Sequence, residues 1–281
     1  MPFKIIKKQE LVPTIYLMDV SAPRIARKAQ PGQFVILKID ENGERIPLTI
    51  ADFDRKKGTI TMIFQAVGKT TTQLSILGIG DELLDFIGPL GNPAHIENMG
   101  TVILVGGGVG VAPIFPQARA FKEAGNKVIS IIGARSSNLL LWEERMRENS
   151  DELHITTDDG TKGHHGFVTD IVKKILESGM KVDRVVAIGP PVMMRAVAGV
   201  TRPFNVKTIV SLNSIMVDGT GMCGACRVLV GNETKFACVD GPEFDAHLVD
   251  FTLLMNRLAI YQPEEKLAFE KYKCEREGCK C

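Results

Sequence analysis

From Thr101 onward the chain alternates short β-branched apolar runs with stretches of helical length, and this alternation constrains the fold more than any other feature. The runs are Thr101–Val105, Lys127–Gly133, His154–Thr157, Arg184–Ile188 and Thr208–Leu212. Between them, residues 112–124, 140–149, 167–177 and 191–200 read as helices. Strands alternating with helices of this size form βαβ units, so the pattern predicts an α/β unit with a parallel sheet and helices on both faces.

The first strand runs into Gly106-Gly107-Gly108-Val109-Gly110-Val111-Ala112-Pro113, a glycine-rich turn that opens a helix. Glycine lets the backbone approach a ligand's phosphates, and the free N–H groups of a helix start favour an anion. Pro113 suits the first helical turn. Gly107, Gly108, Val109, Gly110, Ala112 and Pro113 are therefore candidate nucleotide contacts. The turn departs from G-x-G-x-x-G, so a plain tight strand–helix connection stays open beside the phosphate-binding reading. The next strand ends in Gly133-Ala134-Arg135-Ser136-Ser137, with no acid at its tip to grip a ribose 2′-hydroxyl. Arg135 with two serines suits a 2′-phosphate, hence NADP, and a solvated strand-end arginine is the plain alternative. Asp158 and the run Gly189-Pro190-Pro191-Val192-Met193 fall at the carboxyl edge of the sheet, where ligands bind in such folds. Gly133, Arg135, Asp158, Gly189, Pro190 and Met193 join the candidate set, although Met193 and Met194 also suit a helix core.

Before Thr101 the pattern is β. Strands are expected at Ile15–Val20, Phe34–Ile39, Pro47–Ala51, Thr59–Gln65 and Glu82–Ile87, separated by turns such as Gln30-Pro31-Gly32, Asn42-Gly43 and Lys57-Gly58. That spacing predicts a small antiparallel barrel or sandwich. The run from Gly88 to Pro93 breaks it and marks a boundary. A chain of 281 residues has room for two or three domains, here expected at 1–97, 98–213 and 214–281. With 44% hydrophobic and 24% charged residues it is neither disordered nor collagenous, and a net charge of +1 argues against nucleic acid as a partner. Met1–Glu10 lacks the apolar core of a signal peptide. The longest apolar stretch, Thr101–Phe115, is broken by four glycines and a proline, so no membrane span is expected and the location expected is cytoplasmic.

The six cysteines are unevenly placed, none before Cys223. In a cytoplasmic chain, Cys223-x-x-Cys226 points to metal or redox chemistry rather than a disulfide framework. Asp218, Cys223, Cys226 and a more distant Cys238 reproduce the plant-type C-x4-C-x2-C…C spacing of a [2Fe–2S] cluster, with aspartate in the first place. Gly219, Gly221 and Gly224 would let the loop fold round a cluster and aim N–H groups at its sulfurs. Zinc held by one carboxylate and three thiolates is the main alternative, and a Cys223–Cys226 disulfide a lesser one. Cys274, Cys279 and Cys281 lie in a charged tail and read as surface thiols without a role, with metal binding as the second reading.

Taken together, Arg45-Ile46-Pro47-Leu48-Thr49-Ile50, Gly68-Lys69-Thr70-Thr71, Gly88-Pro89-Leu90-Gly91, the glycine turn, Gly189-Pro190 and the cysteine loop resemble the ferredoxin–NADP reductase superfamily over nearly the whole chain. Within it the sequence is similar to electron-transfer subunits with a C-terminal [2Fe–2S] domain. These include the dihydroorotate dehydrogenase B type and the small subunits of NADH-dependent reduced ferredoxin:NADP oxidoreductases, also described as sulfide dehydrogenase subunits. Asp218 in place of the first cysteine favours the latter. The resemblance implies FAD in the barrel, with Pro47 and Leu48 in the flavin site, Leu48 packing beside the ring and the Thr49 hydroxyl at its reactive edge as the catalytic group. It assigns Arg45, Gln65, Ala66, Val67, Gly68, Thr70 and Thr71 to the adenosine and pyrophosphate side, although Ile46 stands where many relatives carry the phosphate arginine. Without it, Thr70-Thr71-Thr72 reads only as a helix cap. It further implies NAD(H) as nucleotide, hydride transfer to FAD, single electrons to the cluster, and a heterodimer with a larger FAD and iron–sulfur subunit that couples to ferredoxin by electron bifurcation. A dihydroorotate dehydrogenase B type partner with an FMN barrel is the second reading, and a zinc-stapled nucleotide-binding module without electron transfer the third. His164 and His165 lie in a glycine-flanked loop, in reach of cofactor or partner or simply a solvated turn.

Overall fold

A computed structural model describes residues 3–276. Its first unit comprises β1 (Phe3–Val12), β2 (Ile15–Ser21), α1 (Pro23–Lys28), β3 (Phe34–Lys38), β4 (Ile46–Asp54), β5 (Thr59–Gln65), α2 (Lys69–Leu74), β6 (Glu82–Leu83) and β7 (Asp85–Leu90). The strands form one antiparallel, nearly closed sheet in the order β6-β1-β2-β5-β4-β3-β7. Strand alternation gives each of β2 and β5 two apolar faces. Met18, Val20, Ile60, Met62 and Phe64 fill the interior of the sheet. Ile15, Leu17 and Ile63 face the other way and join a core with Ile114, Phe115 and Ala118 of the next unit.

That next unit contains β8 (Thr101–Gly107), α3 (Val111–Glu123), β9 (Lys127–Ala134), α4 (Glu143–Glu148), β10 (Glu152–Thr157), β11 (His164–His165), α5 (Val168–Glu177), β12 (Arg184–Ile188), α6 (Pro191–Thr201) and β13 (Thr208–Ser211). The strands are parallel in the order β11-β10-β9-β8-β12-β13. The order reverses between β8 and β12, which sets a topological switch point where the glycine turn and Gly189-Pro190 meet. The two histidines expected in a loop form the short edge strand β11, exposed, with His164 Nε2 3.4 Å from Asp170.

The last part of the chain adds a hairpin, β14 (Arg227–Val230) and β15 (Glu233–Phe236), then β16 (Glu243–Asp245), α7 (Phe251–Leu258) and α8 (Gln262–Arg276). β16 returns to the parallel sheet and pairs antiparallel with β13, Ser211 opposite Glu243. Cys226, Val228, Cys238 and Phe244 share a single core with Ile103, Val105 and Val185 of the sheet and with Phe34 and Ile36 of the barrel. The expected barrel, parallel-sheet unit and small C-terminal unit are all present, and the third has its apolar residues in a core common to all three. Across the seam, Asp52 on β4 accepts from Arg119 at 2.9 Å and Arg145 at 2.6 Å. Arg145 also stacks on Phe115 and Trp142, so this pair of bonds is better ordered than most surface ion pairs.

Candidate functional site

The barrel and the carboxyl ends of β8, β9, β12 and β13 enclose a cleft of about 1280 Å³. This exceeds the roughly 300–1,000 Å³ of an ordinary small-molecule site and suits a dinucleotide with a second nucleotide beside it. From the barrel come Pro47, Leu48 and Thr49 on β4, Gln65 at the end of β5, and Val67 and Thr71 at the start of α2. Thr71 Oγ1 accepts from the N–H groups of Val67 and Gly68 at 3.2 and 3.1 Å, which fixes this corner of the wall. Ala66, Gly68 and Thr70 do not line the cleft; the Thr70 hydroxyl donates to Glu44 at 2.8 Å.

From the parallel sheet come Gly107, Gly108, Val109, Gly110 and Pro113, then Gly133, Arg135 and Asp158, then Gly189, Pro190 and Met193. The glycines divide by cause. A Cβ on Gly110 would collide with the Ile188 carbonyl and one on Gly107 with the Met193 sulfur, so these two let β8, β12 and α6 approach closely. Gly108 has φ +56° and open space where a Cβ would stand, so its backbone faces the cleft. Ala112 is buried in α3 and lies outside the lining. Near β9, the Thr161 hydroxyl accepts from the Ser137 N–H at 2.9 Å and donates to Asp159 at 2.6 Å. That loop satisfies itself, and the cleft wall keeps a cation, Arg135, and a carboxylate, Asp158.

The sequence reading missed Phe34, Phe167, Ser211–Ser214, Met216 and Pro242. Ser211 ends β13 and the residues up to Ser214 follow it at the same carboxyl edge that nominated Gly189, so the signal was available there. Phe34 and Pro242 reach the cleft only through tertiary packing. Ser214 has its Oγ buried without a hydrogen-bond partner, an orphan polar group of the kind a ligand satisfies. With this orphan and the open Gly108 backbone, the lining fits a dinucleotide.

Met216 leads from the cleft into the loop of Asp218 to Cys226. Asp218 accepts from the N–H groups of Thr220 at 2.9 Å and Cys223 at 3.0 Å. These bonds, Thr220 foremost, hold its carboxyl below the usual range. Cys226 and Cys238 are buried with their sulfurs 3.2 Å apart. Burial, then the Cys226 thiol beside it, pushes the Cys238 thiol up to about 12. Cys223 is exposed. Gly219, Gly221 and Gly224 all have positive φ, which lets the loop curl around them. Among the described residues, no three His, Cys, Asp or Glu side chains already converge on a common point. The four expected ligands stand instead as a thiol pair and as Asp218 bonded to the Cys223 backbone. Two buried thiols and one exposed thiol, in a glycine-permitted loop, fit an iron–sulfur cluster, whose positive irons would relieve the cost of adjacent thiolates.

Cys223 and Cys226 are both free thiols, so the lesser alternative of a disulfide between them falls away. Two further expectations are corrected by the geometry. Cys274 is disulfide-bonded rather than a free surface thiol, and Cys279 and Cys281 lie outside the described residues. Arg45 does not reach the cleft; its guanidinium donates to the carbonyls of Val217 at 2.8 Å and Asp218 at 3.4 Å and pairs with Asp85.

Known proteins match this arrangement. Residues 213–250 match the iron-sulfur cluster binding domain of dihydroorotate dehydrogenase B, and residues 104–199 the oxidoreductase NAD-binding domain. A Thermotoga maritima protein described as a dihydroorotate dehydrogenase B (NAD(+)) electron transfer subunit homolog is 47% identical, covering 96% of this chain and 95% of its own. The Bacillus cereus dihydroorotate dehydrogenase B (NAD(+)) electron transfer subunit is 33% identical over 85% of this chain and 94% of its own. The chain belongs to this family of electron-transfer subunits.

As such a subunit it is part of an NAD(P)H-dependent flavin and iron–sulfur oxidoreductase, with FAD, an iron–sulfur cluster and NAD(H) as cofactors. The zinc-stapled module is thereby set aside. A solved structure of an NADH-dependent reduced ferredoxin–NADP oxidoreductase, studied for flavin-based electron bifurcation, superposes on the electron-transfer subunit with a TM-score of 0.92. The two are 45% identical, with 97% of this chain and 98% of that one covered. Among the described residues, no helix is long and apolar enough to cross a membrane.

Proposed function

We propose that this subunit takes up NAD(H) at the cleft and passes electrons through the loop of Asp218 to Cys226 to a larger subunit bearing FAD and further iron–sulfur clusters. In that heterodimer the traffic would couple to ferredoxin and NADP(H) by electron bifurcation. The observation that carries the reading is continuity: Ser214 and Met216 line the cleft, and Asp218 follows two residues later. FAD, when bound, accepts a hydride from a nicotinamide and releases electrons one at a time. The chain supplies position and electrostatics. The Gly108 backbone would admit the nucleotide's phosphates at the head of α3, and Arg135 and Asp158 would meet its ribose end. Thr49 would set the reactive edge of the flavin and Leu48 its face. Asp218, Cys223, Cys226 and Cys238 would hold a [2Fe–2S] cluster.

The test is anaerobic stopped-flow reduction of the purified subunit by NADH and by NADPH, followed at flavin and iron–sulfur wavelengths. Faster reduction by NADH is expected; absence of nucleotide-dependent bleaching would sink the reading. The names of the relatives support a second partner, a dihydroorotate-oxidising subunit, for which the family resemblance implies FMN. The cofactors and mass of the partner that co-purifies decide between the two, and the aspartate at 218 supports the first.

A further inference from the structure

We propose that Arg45 is a positioning residue of the cluster loop, a barrel side chain that seats this loop and lends the cluster a positive charge. The proposal rests on reading Asp218 to Cys238 as the cluster site. Arg45 lies 172 residues from Val217 in the chain, yet its Nε donates to the Val217 carbonyl at 2.8 Å. One terminal nitrogen reaches the Asp218 carbonyl at 3.4 Å, and the other pairs with Asp85 at 3.4 Å. The guanidinium fork thus spans the carbonyl before the first expected ligand and that residue's own carbonyl, which a lysine point charge could not do in one geometry.

A second observation, independent of Arg45, places the loop on the same barrel wall. Gly219 has φ +77°, and a Cβ there would stand 2.6 Å from the Ile36 side chain and 2.8 Å from that of Leu90. The loop therefore meets β3 and β7 at Gly219, and Arg45 bonds its start. Arg45 immediately precedes β4, whose Pro47, Leu48 and Thr49 line the cleft. One strand end consequently touches both cofactor sites, and moving Arg45 alters the relation between them.

Charge gives the proposal its particular signature. One-electron reduction adds a negative charge to the cluster, so a cation beside the loop stabilises the reduced form more than the oxidised one. Asp85 opposes this charge in part, being the carboxylate paired with the guanidinium. A strut without electrostatic influence would leave the reduction equilibrium unmoved.

The experiment is a dithionite titration of the full-length protein followed by electron paramagnetic resonance, with iron and FAD content measured on the same samples. Arg45→Gln keeps a hydrogen-bond donor and removes the charge. It is expected to retain FAD and to shift the cluster equilibrium about tenfold toward the oxidised form, 59 mV for one electron. Arg45→Lys keeps the charge and should stay within about threefold of the wild type while binding iron less firmly. Asp85→Asn should shift the equilibrium the other way. If Arg45→Gln holds its cluster at the wild-type midpoint, the proposal is overturned. Loss of FAD with an intact cluster would also overturn it and return Arg45 to the pyrophosphate side. Should Gln lose the cluster and Lys keep it, the charge is needed for assembly and the proposal stands. A wild type that binds no iron refutes the cluster reading itself, a separate outcome.

Discussion

The side-chain amide of Gln117 on α3 donates to the carboxyl of Glu243 on β16 across 2.5 Å, with Gln117 fully buried. Burial drives the Glu243 carboxyl up to about 7, against the opposing pull of the Gln117 bond and the Arg184 charge. The folded chain therefore holds a proton that an unfolded glutamate releases near 4.5. Below that value both states are protonated and the site costs nothing. Between about 4.5 and 7 stability falls as pH rises, and above 7 the whole cost is present. Glu243→Gln is expected to flatten this window and to stabilise the protein at pH 8 by up to ~3 kcal/mol. Urea unfolding of both proteins at pH 5 and pH 8 checks it, and an unchanged difference between them at the two values would refute it.

Thr49 pairs with Phe34 in the β4–β3 ladder and lines the cleft, so its hydroxyl is held by backbone that a side-chain change leaves intact. Thr49→Ala is expected to slow flavin reduction by NADH at least tenfold while FAD stays bound. Stopped-flow rates and FAD content of the same preparation provide the comparison. Normal rates would show that the hydroxyl is not at the reacting edge.

The two causes of glycine separate by mutation. Gly108→Val places a side chain in open cleft space and adds backbone strain at φ +56°; it should weaken NADH binding more than tenfold with FAD and cluster retained. Gly110→Ala meets the Ile188 carbonyl and should lower the unfolding temperature instead. Calorimetric NADH titration and thermal melts distinguish them. Equal nucleotide affinity in a folded Gly108→Val protein would make the turn purely structural.

Asp218 offers a carboxylate where the plant-type spacing has a thiolate. Asp218→Cys should keep the cluster and change its spectrum and potential, whereas Asp218→Ala should leave it labile, because the carboxyl also ties Thr220 and Cys223. Changing Cys274, Cys279 and Cys281 together to Ser should leave it intact. Mössbauer and paramagnetic resonance spectra decide; signatures untouched by Asp218→Ala, or lost in the tail variant, would exclude this ligand set.

Strands whose neighbours supply burial on both faces were legible. Thr59–Gln65 and Arg184–Ile188 match β5 and β12 end to end because β-branched apolar runs dominate them. β1 was missed: only Ile5 among its residues is buried, and its lysines mask the period of two. β16 is three residues long and owes its place to β13 rather than to its own pattern. In the cleft, the glycine turn announced itself through composition, since close approach demands residues without side chains. Arg45 could not be placed, because its carbonyl partners are 172 and 173 positions away, and carbonyls carry no sequence signal. Nor does a sequence reveal that Glu243 is the carboxylate to be packed against Gln117.

The return of the chain from the hairpin to β16 gives the iron–sulfur segment two anchors on one sheet, at β13 and at β16. Topologically it is a loop inserted between paired strands rather than a pendant module. Cutting the chain after Leu212 would remove the strand that covers β13 and bare a sticky edge. Exchanging only the residues between Leu212 and Glu243 would leave that seam closed. For anyone grafting a different electron relay onto this scaffold, the unit of transplantation is the insert, with both splice points on the sheet.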